Sequence, residues 1–469
     1  MSDFSNPKPG TGQIRSLSGQ RQQSPAPAAP PPMQDLLEED NEWSPPPLTA
    51  LEDTGLNLLA VADLILKVLY FGGYMTGFAV CEIIKLPFTG VAEKAFTFLK
   101  REKFIEVQAG GGYNEASYQY LITQKGSEKA REAMERSQYA GPAPVPVSQY
   151  VEAIRMQNRK KISVRRRDLR RVMENLVISD EMLDKIGPAV NGGRSIFLYG
   201  PPGNGKTTIA EKVGRIVLGD DMWIPYAFDV DGQIVQVYDG INHELAPVQE
   251  KVKHATGVVA DQRWVRIKRP MIMVGGELTL EGLDLVYDPI NKFYEAPFQV
   301  KANGGMFLID DFGRQQVRPQ DLLNRWIVPL EKAVDFLTLN NGRKIEMPFF
   351  VMIVFSTNLE PKHLVDDAFL RRIRYKIEVG NPSADQFREI FKIMCRIKGV
   401  PYDDQGLAYL LKEWYLNKEK EGRFRDMRMV HPRDLISQLL DIAAYLEVSP
   451  TLSKDLLDRA AASYFVKLS

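Results

Sequence analysis

Cysteine is nearly absent. Cys81 and Cys395 are the only two in 469 residues, too few and too far apart for a disulfide framework or a thiolate zinc site. That usage fits a reducing compartment, and the chain is expected to be cytoplasmic. Histidine is scarce as well. There are four, none at metal-ligand spacing, and His243-Glu244 lacks a second histidine one turn on because Pro247 stands there. Net charge is missing too: Lys+Arg and Asp+Glu each total 60, so no global field points to nucleic acid or membrane. No basic-then-apolar leader opens the sequence. The most apolar early run, Leu56 to Tyr74, carries Asp63 and Lys67 and reads as a buried helix, so no membrane insertion is expected. The length allows about two to four domains.

What is present changes along the chain. Residues 1–50 are rich in Pro, Ser, Gln and Gly, a composition that cannot bury enough apolar surface to order itself, and a disordered tail is expected. Inside it, Met33 to Asp40 with Trp43 reads either as solvated tail or as a short acidic docking motif. Over 51–138 the pattern is three helices, two strands around Gly110-Gly111-Gly112, and a closing helix. That order resembles a winged-helix domain, including the ending Tyr120-Leu121-Ile122-Thr123 with Gly126. Its candidate recognition helix carries Lys94, Lys100, Arg101 and Lys103 beside Glu93 and Glu102, so contact with protein and contact with DNA both stand as readings. Residues 139–171 are expected as a linker with a basic stretch from Arg155 to Arg171, either a solvated helix face or a surface for a nucleic-acid backbone or an acidic neighbour in an assembly.

The most specific signal is Gly200-Pro201-Pro202-Gly203-Asn204-Gly205-Lys206-Thr207-Thr208. It follows a β-prone run, Ser195 to Tyr199, and leads into residues with helical spacing from Ile209. Strand, glycine turn and helix in that order make a phosphate-binding loop. Glycines let successive N–H groups turn inward toward the phosphates, with the positive helix end behind them. Lys206 would reach the β- and γ-phosphates and Thr207 would ligate Mg²⁺. A second signal is Gly304 to Ile309 followed by Asp310-Asp311. Buried strand residues ending in two acids place carboxylates at a strand's carboxyl end, where such sheets bind ligands. Asp310 is assigned to Mg²⁺ and Asp311 to the attacking water. Alternating β-like and helical segments over 172–380 predict an α/β fold with a parallel sheet, and 381–469 reads as helices only.

Together these motifs resemble an AAA+ ATPase from about residue 172 to the end. The resemblance implies ATP and Mg²⁺ as cofactors, an α/β nucleotide-binding domain over 172–380 and a helical lid over 381–469. It places sensor 1 at Asn358, the arginine finger at Arg372 with Arg371 second, and sensor 2 at Arg433. Leu176-Val177-Ile178-Ser179 and Gly187-Pro188 stand where the family forms its adenine pocket, so Ile178 joins the nucleotide-binding residues. Two strand-like runs, Val334 to Leu339 and Lys344 to Phe349, flank Asn341-Gly342 as a hairpin does. Its position is similar to the pre-sensor-1 hairpin of MoxR-like ATPases and magnesium chelatases. Lys206 and Asp310 lie 104 positions apart, which implies an insertion, including Gly275 to Leu280 and Phe293 to Pro297, expected to contact substrate. The family's second acid is usually Glu, and Asp311 is one methylene shorter.

The resulting expectation is an ATP-hydrolysing, ring-forming homo-oligomer, expected to be a hexamer, that remodels a protein client. Two alternatives stand beside it: an ATP-gated DNA-binding regulator, and an assembly switch with slow hydrolysis.

Overall fold

The computed structural model describes residues 43–109, 114–159, 163–193, 195–217, 219–247, 259–364, 370–417 and 424–465. The tail to residue 42, the Gly110–Gly112 tip, Lys160, Lys161 and Asp366 to Phe369 of the finger segment lie outside them.

The first unit runs α1 (Leu58–Gly72), β1 (Tyr74–Thr76), α2 (Gly77–Ile84), α3 (Glu93–Arg101), β2 (Ile105–Ala109), β3 (Gln119–Ile122) and α4 (Gln124–Arg136). The strands form an antiparallel sheet with β3 between β1 and β2. Side-chain caps start three of the helices: Asn57, Thr76 and Thr123 each accept from an N–H three residues on. Val61, Ile65, Phe96 and Tyr120 centre one apolar cluster for this unit.

Two composition-based expectations fail next to it. Residues 43–50, assigned to the tail, are packed. Trp43 meets Trp264 edge to face with centroids 5.2 Å apart, and Leu48 is buried. Nor is 139–157 a linker. Tyr139 and Ala143 are buried, β4 (Val145–Pro146) pairs with a later strand, and α5 (Val147–Gln157) buries Tyr150, Ala153 and Ile154. Proline fixes φ and lowers the entropy lost on ordering, so proline-rich segments can also pack where apolar residues follow them. The basic stretch finds acids in its own chain. Arg166 and Arg170 of α6 (Arg166–Val172) pair with Asp180 and Asp184 of α7 (Asp180–Gly192).

The α/β fold expected from the sequence is the one observed. β5 (Ser195–Tyr199) leads into α8 (Lys206–Val217), and the inserted β6 (Asp221–Pro225), β7 (Ala227–Val230), β8 (Gln233–Gln236) and β9 (Trp264–Lys268) precede the rest of a parallel sheet flanked by helices. The order β10 (Met271–Val274), β13 (Met306–Ile309), β16 (Met352–Thr357), β5, β17 (Tyr375–Glu378) is parallel throughout. Strand residues alternate between two buried faces. Phe197, Phe307 and Phe355 pack with Trp326 of α10 (Pro319–Lys332), whereas Ile196, Leu308 and Val354 pack with Ile186, Ile209 and Val213 of α7 and α8.

The insertion adds the short α9 (Phe298–Lys301) and, with β4, a second sheet ordered β11 (Val286–Asp288), β12 (Phe293–Glu295), β8, β7, β4. The expected hairpin is present as antiparallel β14 (Val334–Thr338) and β15 (Lys344–Pro348). Its Leu337, Ile345 and Met347 share a core with Tyr150, Phe228 and Tyr294, so hairpin, insertion and α5 form one platform. The chain ends in α11 (Ala384–Lys398), α12 (Asp404–Leu410), α13 (His431–Tyr445) and α14 (Lys454–Tyr464), with a separate core around Phe387, Tyr415 and Leu439.

Arg263, buried at the edge of β9, ties the first unit to this platform. It forms a buried pair with Asp261 (2.8 Å) and donates to the carbonyls of Thr54 (2.9 Å) and Pro144 (3.2 Å). Removing one partner of such a pair strands the other charge. Arg263→Ala is therefore expected to cost about 3–5 kcal/mol in denaturant unfolding, and Asp261→Asn in the same chain should recover part of it. A loss below about 1 kcal/mol would show that the pair is not the tie.

Candidate nucleotide-binding site

The parallel sheet brings the motif residues together through its strand order. β5 and β16 are neighbours, with Tyr199 opposite Thr357, and β16 neighbours β13, with Phe355 opposite Ile309. The glycine loop, Asn358 and Asp310-Asp311 thus leave adjacent strands at the same carboxyl edge.

Two loop glycines are required by space and backbone. Gly200 has φ +136°, and a Cβ there would sit 2.4 Å from the carbonyl oxygen of Val379. Gly203 has φ +81°, and its Cβ would meet Val430 Cγ1 at 2.7 Å. Any side chain would push the loop away from β17 on one side or from the lid on the other.

Lys206 opens α8 and is 6% exposed. Its ammonium donates to the carbonyls of Gly200 (2.9 Å) and Pro201 (3.0 Å) and to Asn358 Oδ1 (2.7 Å). Burial draws its pKa below the ordinary lysine value, while the Asp310 and Asp311 carboxylates pull the other way. The Asn358 amide also donates from Nδ2 to Asp311 Oδ1 (2.9 Å), so one side chain bridges the lysine and the second acid. Thr207 Oγ1 donates toward both Asp310 oxygens, 3.1 and 3.0 Å away. A hydroxyl beside a carboxylate is an oxygen donor set suited to Mg²⁺, which keeps water and phosphate as its remaining ligands.

These groups line a cavity of about 440 Å³. Pro202 to Thr208, Asp310, Asp311, Asn358 and Arg433 form its polar side, and Leu176, Val177 and Ile178 part of its apolar side. Gly200 and Pro201 lie on the other side of the loop, with Glu360 and Lys362. Gly187 and Pro188 do not line the cavity, contrary to expectation. They sit within α7, where a Cβ on Gly187 would face Leu169 of α6 at 3.8 Å.

Sequence reasoning missed the lid's part of the wall. Ile390, Ile393 and Met394 line the cavity from α11, and Met429 and Val430 from the turn before α13. The i, i+3, i+4 spacing of the first three is an apolar stripe legible in principle, but nothing local says which surface it covers. The same turn docks on the loop. Val430 N–H donates to Gly203 O (2.9 Å), Met429 N–H to Asn204 Oδ1 (3.1 Å), and Arg428 to Pro202 O (3.3 Å). Asn204 is fully buried and reaches Asn381 with its other amide end (2.9 Å). Arg433 lines the cavity while its Nε donates to Asp434 Oδ1 (2.8 Å).

Arg371 and Arg372 are elsewhere. They precede β17, which runs parallel to β5 with Tyr375 opposite Ile196, so they stand at the amino edge of the sheet. Arg372 Nε pairs with Glu331 (2.6 Å) in a pocket that also holds Arg371, Arg374 and Lys376. Neither arginine lines this cavity in its own chain. Among the described residues no cluster of His, Cys, Asp and Glu could hold a metal by itself. His243 is buried between the Asp239 N–H and the Lys301 carbonyl.

A model for a domain of unknown function, DUF8689, matches residues 383–463, the span of the lid helices. No curated protein matches the chain. Among solved structures, similarity is found to the Holliday junction branch migration motor RuvB of Thermotoga maritima, with 12% identity over 61% of this chain and 70% of that one and a TM-score of 0.33. NtrX from Brucella abortus in complex with ADP is similar at 13% over 70% and 64%, with a TM-score of 0.37. The complex of magnesium chelatase subunits BchI and BchD is similar at 16% over 63% and 94%, with a TM-score of 0.29. No helix among the described residues is long and apolar enough to cross a membrane.

One titration follows from the lid. His431, at the start of α13, is held at a pKa of about 4, against an ordinary 6.5, by burial and by the nearby charges of Arg428 and Arg425. Tyr415 OH lies 2.9 Å from its Nδ1, an arrangement that suits the neutral ring. Because the folded value is lowered, the unfolded chain binds the proton first as pH falls. Stability contributed by this residue is present above about pH 6.5 and is lost toward pH 4. Melting curves between pH 7.5 and 4.5 should show that decline, and His431→Asn should flatten it over the same window. An unchanged slope in His431→Asn would assign the decline to other groups.

Proposed function

We propose that the chain binds and hydrolyses ATP as a member of the AAA+ class. The observation that carries this reading is the meeting of Lys206, Thr207, Asp310, Asp311 and Asn358 at one cavity with an apolar wall. The base of the nucleotide would lie against Leu176 to Ile178 and the lid's Ile390, Ile393 and Met394, and its phosphates in the glycine loop. Lys206 would exchange loop and Asn358 acceptors for β- and γ-phosphate oxygens. Thr207 and Asp310 would hold Mg²⁺, which when bound neutralises phosphate charge. Asp311 would take a proton from the attacking water while Asn358 orients it. Arg433 would leave Asp434 for the γ-phosphate.

An active unit of more than one chain is part of this reading. Arg372 stands at the sheet edge opposite its own loop, so it can serve only a neighbouring copy's nucleotide. An arginine supplied in that way offsets charge on the transferred phosphoryl and is worth about 10³–10⁵ in rate. A hexameric ring of the MoxR-like, hairpin-bearing kind is the assembly this implies.

A protein client is favoured over DNA. On α3, Lys94 pairs with Glu52 (2.9 Å), Lys100 with Glu115 (2.7 Å) and Arg101 with Glu102 (3.2 Å), so acids balance the positive charge of this helix. Exposed ion pairs add about 0–1 kcal/mol each to stability, so neutralisation is their main consequence. The same unit exposes Phe71, Tyr74 and Phe78. Aromatic surface of this kind suits a protein partner better than a phosphate backbone. The shorter acid at 311 favours slow turnover, as in a nucleotide-controlled assembly switch.

Lys206→Ala should abolish binding of a fluorescent adenine nucleotide. Asp311→Asn should bind it normally and lose about 10²–10⁴ in turnover; retained hydrolysis would show that the base is elsewhere. Mixing is the test of the neighbour's arginine. Arg372→Ala and Lys206→Ala chains, each inactive alone, should regain turnover together because the second supplies an intact arginine to the first. Full activity of Arg372→Ala alone removes that arginine from the mechanism.

A further inference from the structure

We infer that Gln315, which does not touch the nucleotide cavity, is a positioning residue for Asp311; this rests on the ATPase reading above. Asp311 lies just past β13 with φ +47°, in the left-handed region that aspartate tolerates better than most residues but not as freely as glycine. Such a conformation persists only when its surroundings hold it. One side of the turn is held from β16: Phe312 N–H donates to Ser356 O (2.7 Å), and Thr357 Oγ1 donates to Phe312 O (2.7 Å). The other side is held by the Arg314 N–H, which donates to the Asp311 carbonyl (3.0 Å), and by one carboxamide that reaches both carbonyls flanking Asp311. Gln315 Oε1 accepts from Gly313 N–H (2.8 Å), and Nε2 donates toward the carbonyls of Asp310 (3.1 Å), Asp311 (3.3 Å) and Gly275 (3.4 Å).

The Asp310 and Asp311 carbonyls bracket the Asp311 α-carbon. A rotation about either Asp311 backbone bond moves one of them, so the amide fixes the direction in which Cβ leaves. That matters more for aspartate than for glutamate. A glutamate has a further rotatable bond with which to correct a misplaced backbone, while an aspartate carboxylate goes where its Cα–Cβ bond sends it. Here it is sent to Asn358 Nδ2 at 2.9 Å, inside the cavity wall. The Gly275 carbonyl adds the end of β10 to the same clasp, joining three neighbouring elements at the second acid.

Three variants test this by steady-state turnover and nucleotide affinity of the full chain. Gln315→Ala should keep its affinity for a fluorescent adenine nucleotide within about twofold, because the residue does not line the cavity, and lose about 10–100-fold in kcat with KM little changed, the scale of a misplacement near 1 Å. Gln315→Glu keeps the shape and the acceptor for Gly313 but turns an oxygen toward three carbonyls, and should fall at least as far. This near-isosteric variant also decides the case if the alanine variant folds poorly. Combined with Asp311→Asn, Gln315→Ala should add no further loss, since a residue acting through Asp311 has nothing left to position. A kcat of Gln315→Ala within twofold of the unmutated chain, or an additive loss in the double variant, overturns the inference. An unmutated chain without turnover overturns the ATPase reading itself, and is seen before any variant is made.

Discussion

A buried ammonium must find an acceptor for each of its three protons, and this requirement organises the site. Lys206 meets it with two loop carbonyls and the Asn358 amide. Each acceptor constrains a different part of the fold. The carbonyls can face inward only if the loop turns through Gly200 and Gly203. The amide is within reach only because β16 lies directly beside β5. The remaining end of that amide then reaches Asp311, so the lysine, the strand order and the second acid are one connected arrangement.

The lid and the platform attach to this arrangement in different ways. The lid meets the loop through one turn, by the Val430 N–H on the Gly203 carbonyl, the Met429 N–H on the buried Asn204 amide and Arg428 on the Pro202 carbonyl. The platform is tied more extensively. Hairpin, insertion and α5 share a core, Asp335 of the hairpin is clasped by Arg325 of α10, and Arg263 bonds the first unit to the same body. Displacement of the α/β sheet would carry the first unit along with it.

The parts read correctly from sequence are those where local chemistry allows one solution. A glycine loop ending in Lys206-Thr207, and a buried strand ending in Asp310-Asp311, have that character. So does the hairpin around Asn341-Gly342, because the turn needs a positive φ that Gly342 supplies. The errors arose where composition stood in for packing. Proline around 45–47 and 142–146 suggested tail and linker, yet Trp43 and Tyr150 lie nearby in the chain and carry those segments onto apolar cores. The basic run left two readings open because Asp180 and Asp184 approach Arg166 and Arg170 only after α6 and α7 pack.

Residue order along the chain was enough to establish a glycine loop between strand and helix, two acids, a polar strand end and an all-helical finish, since each depends on neighbours a few positions away. It could not establish that Asn358 bridges Lys206 and Asp311, that α11 supplies the apolar wall, or that Gln315 clasps the second acid. Those contacts join residues brought together by strand order and helix packing, whose free energy comes from surfaces distant in sequence. Only the folded chain selects among the partners that each polar side chain could accept.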